Sequence, residues 1–162
     1  MTLCQKMKEL THQVARRIAS ASVPFAADYD SLLIAHEIIA KVRLEGFMAF
    51  DHRIDVGGFE DDDVAALRDA LLTYIRTYPE DPSRGAAYWG LAALHDAKEL
   101  DLLRDLLQIE SSREIIEEHV LWQIMIALDN IGEDILDPIH TDPVQQGGDR
   151  WAASKLYLAR HT

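Results

Sequence analysis

Cysteine is almost absent from this chain: Cys4 is the only one among 162 residues. That excludes an intramolecular disulfide and a thiolate zinc cage, and a reducing, cytoplasmic compartment is expected. Long apolar runs are missing too. Ser31–Ala40 is interrupted by His36 and Glu37, and Leu121–Leu128 is short, whereas a bilayer-crossing helix needs roughly 20 apolar residues. Lys6, Lys8, Arg16 and Arg17 are followed by no apolar core, so no secretory signal is expected. Leu3-Cys4 lies too near the start for a lipoprotein cleavage site.

Catalytic patterns are equally scarce. Gly57-Gly58 and Gly147-Gly148 lack the Lys and the spacing of a phosphate-cradling loop. The helix His36-Glu37-Ile38-Ile39-Ala40 begins like a zinc-protease motif, but Ala40 stands where the second histidine must be. The seven histidines show no three- or four-residue spacing that would pair two on one helical face. Glu118 and His119 are adjacent, which excludes the di-iron signature from that helix. Ser83, Ser111 and Ser112 fall at expected helix starts, where capping accounts for them. His95-Asp96 reads as a hairpin turn rather than an acid–base pair, and Trp89, Trp122 and Trp151 read as core. No catalytic, cofactor or metal site is expected, and the chain reads as a non-enzyme.

What is plentiful is negative charge. The net charge is −12, and it is unevenly placed. Residues 1–50 carry 6 basic and 5 acidic side chains, residues 51–142 carry 7 and 22, and residues 143–162 carry 3 and 1. The acidic middle repels phosphates and anionic lipids, so neither nucleic acid nor membrane is an expected partner. It attracts basic proteins.

Apolar spacing predicts helices along most of the chain. Leu3, Met7, Leu10, Val14 and Ile18 form one stripe over residues 2–21. A second helix is capped by Asp28 or Asp30 and ends near Gly46. Residues 47–59 are a non-periodic connector. Asp61, Asp62 and Asp63 open a third helix running to about Tyr78, where acids complement the helix dipole. Further helices are expected over 84–97 and 98–110. Another begins at a Ser111–Glu114 capping box and is apolar nearly all round to Ile131. Gly132 terminates it, Glu133–Ile139 is a short partner helix, and Trp151–Arg160 caps the fold.

Two phrases repeat. Ala66-Leu67-Arg68-Asp69-Ala70-Leu71-Leu72 returns as Leu102-Leu103-Arg104-Asp105-Leu106-Leu107-Gln108, and Tyr88-Trp89 with Leu91-Ala92 returns as Leu121-Trp122 with Ile124-Met125. Interleaved echoes about 33 to 36 residues apart suggest alternating helices of a repeated hairpin. With an aspartate in the turn (Asp96) and a basic residue in the second helix (Arg104), the segment over about 62–136 resembles the HEAT family. Asp129 matches the next turn, but no Arg or Lys follows it, and Pro138 interrupts its second helix. The expected fold is all-α: a short, degenerate stack of antiparallel hairpins, about 7 helices. It is read as one domain over 1–162, with an N-terminal helical pair (1–46), repeat-like hairpins (61–139) and a C-terminal cap helix (149–161).

In size, class and charge the chain also resembles small acidic bacterial immunity proteins, such as those of contact-dependent inhibition systems. That resemblance implies a basic protein partner, a toxin domain whose phosphate-binding cleft an acidic protein can occupy. The carboxylates expected to meet it are Asp61, Asp62, Asp63, Asp69, Asp101, Asp105, Glu133 and Asp134. Asp69 and Asp105 hold corresponding places in the echoing helices, so stacking would align them in a row. The competing expectation is an adaptor module that binds an endogenous protein through an apolar groove.

Overall fold

The computed structural model describes residues 1–20, 29–80, 84–135 and 149–161. These residues form eight α-helices and no strand. The chain divides into two units, Met1–Leu94 and His95–Thr162; the boundary falls inside the segment read as continuous hairpins.

In the first unit, α1 (Leu3–Ala19) forms on its predicted stripe, burying Met7, Thr11, Val14 and Ile18. Thr2 caps it in a reciprocal box with Gln5. Leu3, at the frayed end of the stripe, stays half exposed. Helix α2 (Tyr29–Arg43) buries Leu32, Ala35, Ile38 and Ile39. Asp30 lies within its first turn rather than at the cap, and Asp28 lies outside the described residues. Gly46, at φ +74°, follows the helix in the left-handed region that glycine adopts without steric penalty. The connector is not featureless. It contains a one-turn helix, α3 (His52–Asp55), capped by Asp51.

Helix α4 (Asp61–Thr77) buries Val64, Leu67, Leu71, Tyr74 and Ile75, and packs on α1, α2 and α5 (Arg84–Ala92). Each fully buried Leu or Ile contributes about 1.5–3 kcal/mol, so this shared face holds the unit together. α5 ends five residues before the predicted Ala97. The chain instead turns through His95, a non-glycine residue at φ +49°. The turn then tightens into a 3-10 segment, Ala97–Glu99, capped by the Asp96 side chain.

In the second unit, α6 (Leu100–Ser111) and α7 (Glu118–Asn130) pack on each other and on α8 (Asp149–Arg160). The expected Ser111–Glu114 capping box does not form. Ser111 is the last residue of α6, and its hydroxyl donates to the Gln108 carbonyl 3.3 Å away. α7 buries Val120, Leu121, Ile124, Met125, Ala127 and Leu128, and ends before Gly132 at φ +92°. Glu133–Ile135 is not helical, so the short partner helix does not start there, and Ile139 lies outside the described residues. The echoing phrases fall on α4 and α6, and on α5 and α7, and each unit packs its own pair together.

Helices α4 and α5 meet tightly at Gly90 of α5. A Cβ there would sit 2.9 Å from Cδ1 of Leu71, a fully buried α4 side chain. Gly90→Ala is therefore expected to lower stability by about 1–3 kcal/mol through overpacking, despite alanine's better helix propensity. A urea titration that found the variant as stable as the parent would contradict this packing.

Candidate partner-binding surface

The eight carboxylates singled out by charge separate into two groups. At the start of α4, Asp63 is buried, and its Oδ2 accepts the Glu60 N–H at 2.8 Å. It is a capping residue and does not belong to the surface, which corrects the expectation. Asp61 is exposed and receives Nη1 of Arg43 at 2.5 Å. Asp62 is exposed, and Asp69 is exposed beside Arg68 at 3.2 Å.

On α6, Asp101 and Asp105 are exposed one turn apart. They line a cavity of about 290 Å³ with Arg104, Gln108, Leu158 and His161. Glu133 is half-buried and engaged with two neighbouring side chains. It accepts Nη2 of Arg104 at 2.8 Å and the hydroxyl of Tyr157. Arg104 also donates Nε to the Tyr157 oxygen at 2.9 Å, and its Nη2 lies 3.1 Å from Nδ1 of His161. Glu133 thus serves as an internal tie between α6 and α8. Asp134 is exposed, and its carbonyl accepts Nη2 of Arg160 at 3.1 Å. Among the described residues Asp62, Asp101, Asp105 and Asp134 make no side-chain ion pair. Asp69 and Asp105 occupy matching places in the repeated phrase, but α4 and α6 belong to different units.

A second site had no signal in the sequence beyond the pair His36-Glu37. Both residues are structural. The His36 ring stacks on Trp89 with centroids 3.6 Å apart, and its Nδ1 donates to the Trp89 carbonyl, a group that can only accept, at 3.1 Å. Glu37, only 2 % exposed, accepts the backbone N–H of Phe50 at 2.9 Å and of Asp51 at 3.2 Å. Asp55 accepts the Ala49 N–H at 3.2 Å, and Lys41 bridges Asp55 and the Phe47 carbonyl. Three successive connector amides therefore end on carboxylates. The Lys41 ammonium beside it, aided by the Ala49 amide, holds the Asp55 carboxyl below its ordinary range. Arg53 does the same for Asp51.

Among the described residues no group of three or more His, Cys, Asp or Glu side chains is placed to hold a metal ion, and no helix is long and apolar enough to cross a membrane. Asp96 caps the 3-10 segment and pairs with Lys98 at 3.0 Å, so its carboxylate serves the turn. No protein-family model, curated protein or solved structure matches the chain.

The tie between α6 and α8 has a pH signature. Burial, then the neighbouring Glu133 carboxylate, pushes the Tyr157 hydroxyl up to about 12. Glu133 is held below the usual carboxylate range, first by the Tyr157 hydroxyl and then by Arg104. A raised Tyr157 stabilises the fold fully below its unfolded value of 10.0 and loses that contribution as pH rises through about 12. A lowered Glu133 contributes above its unfolded value and loses its part as pH falls through the depressed one. In an alkaline titration followed by phenolate absorbance, Tyr157→Phe should remove a step that comes late in the parent protein. A Tyr157→Phe variant whose titration keeps every late step of the parent would refute the tie.

Proposed function

We propose that this chain is a non-enzymatic acidic binding protein that neutralises a basic protein partner by occupying that partner's cationic surface. The observation that carries the reading is on α6. Asp101 and Asp105 project one turn apart beside a cavity, and Arg104, the arginine between them, is already held by Glu133. The two outward carboxylates are left to meet a foreign cation. Asp62 and Asp69 add charge of the same sign in the first unit.

Such a surface speeds encounter with a cationic protein by long-range attraction and disfavours nucleic acid and anionic membrane. A nuclease toxin presents the required cleft, because its own substrate is a polyanion. The likeness to immunity proteins makes a cognate toxin the partner we favour, met in the cytoplasm and without a cofactor.

The test uses the full chain as bait in the cells that encode it, followed by association kinetics with the purified partner across a salt series. The double variant Asp101→Lys/Asp105→Lys is expected to slow association about 10-fold or more at low salt and to flatten the salt dependence, with helicity and melting temperature unchanged. Salt-insensitive association that the double variant leaves intact would overturn this reading and favour an adaptor that binds through apolar contact.

A further inference from the structure

We infer that the connector between α2 and α4 is an apolar anchor, with Phe50 and Met48 seating in a non-polar socket rimmed by lysine or arginine on the same basic partner protein. The inference rests on the proposed function for the sign of the partner's charge; the rest of it comes from the connector itself.

Phe50 is 89 % exposed and Met48 78 %, and Val56 is exposed six residues further on. Single exposed apolar side chains are ordinary, but these lie within nine residues on a backbone that is held fast. The amides of Ala49, Phe50 and Asp51 are bound by Asp55 and by the buried Glu37, and the Phe47 carbonyl by Lys41. A surface loop with no task could leave those amides to water. Here a buried carboxylate fixes the segment with its phenylalanine turned outward. Preorganisation of this kind removes the ordering penalty that a floppy loop meets on binding. Aromatic residues and methionine are the side chains enriched at the centres of protein interfaces.

The surrounding charge selects the occupant. Residues 41–63 hold three cations and seven carboxylates. All three cations are matched within the chain: Lys41 with Asp55, Arg43 with Asp61, and Arg53 with Asp51. Glu45 and Asp62 remain exposed in the same segment. Glu60 is matched by Lys8 of α1 and Asp63 is buried, so Glu45 and Asp62 make up the segment's exposed, unmatched charge, an anionic excess complementary to a socket with a basic rim. A second copy of this chain would bring the same negative excess against itself.

The experiment replaces Phe50 with the photoreactive analogue p-benzoylphenylalanine in the full chain, expressed in the cells that encode it. The same label at Arg17, on the exposed face of α1, is the control. Light is expected to join position 50, and not position 17, to a protein with an isoelectric point above about 9. With that protein purified, Phe50→Ala should speed dissociation at least 10-fold, leaving the salt dependence of association unchanged. Phe50→Leu should recover part of the loss, and Glu37→Gln should weaken binding in the same direction. A basic partner that binds the chain but is neither cross-linked through position 50 nor released faster by Phe50→Ala overturns the anchor alone. A cross-link to an acidic protein overturns the basic-partner reading and this occupant with it. A cross-link only to a second copy overturns the anchor in favour of self-association.

Discussion

The first unit depends on α4 finding three neighbours at once. Its buried face, from Val64 through Leu67 and Leu71 to Ile75, is shared among α1, α2 and α5. Most of a helix's stability in a folded protein comes from tertiary packing rather than propensity, and here burial against three neighbours supplies it. Everything the unit displays is positioned by that packing. Asp63 sets where the helix begins, Gly90 lets α5 come close enough to touch Leu71, and α2 presents Glu37 to the connector.

The acidic character of the chain is not one property but two. Glu37, Asp51, Asp55, Asp63 and Glu133 act as acceptors for amides, a hydroxyl or cations of their own chain. Their negative charge is what makes them good acceptors, since hydrogen bonds to ionised groups are stronger than neutral ones. Asp62, Asp101, Asp105 and Asp134 remain on the outside. A count of acids cannot tell these groups apart, although only the second can attract another molecule.

Much of the fold was legible because helices are encoded locally. The stripe Met7, Val14, Ile18 marks α1, Gly46 and Gly132 mark two stops, and Asp96 marks a turn. The interleaved echoes fall on helices, one pair on α4 and α6 and the other on α5 and α7. Errors arose where two local signals competed. Ser111 with Glu114 spells a helix start, yet α6 continues through Ser111 because Leu106, Leu107 and Glu110 are buried on that helix. The ties were illegible for another reason. Glu37 meets amides 13 and 14 residues away, and Glu133 meets side chains 24 and 29 residues away. No fixed spacing encodes such partners, so neither the tie at Glu133 nor the amide contacts of the connector can be read from the chain; Asp63, by contrast, meets the Glu60 amide three residues back in a local capping box.

The stacking of His36 on Trp89 gives the protein a built-in optical reporter. Trp89 is the one tryptophan of the first unit, the unit whose helix α2 carries Glu37. An imidazole lying parallel to an indole at van der Waals distance quenches its emission most when protonated. With Trp122 and Trp151 replaced by phenylalanine, the brightness of Trp89 therefore registers whether α2 and α5 remain in contact, without any label being attached.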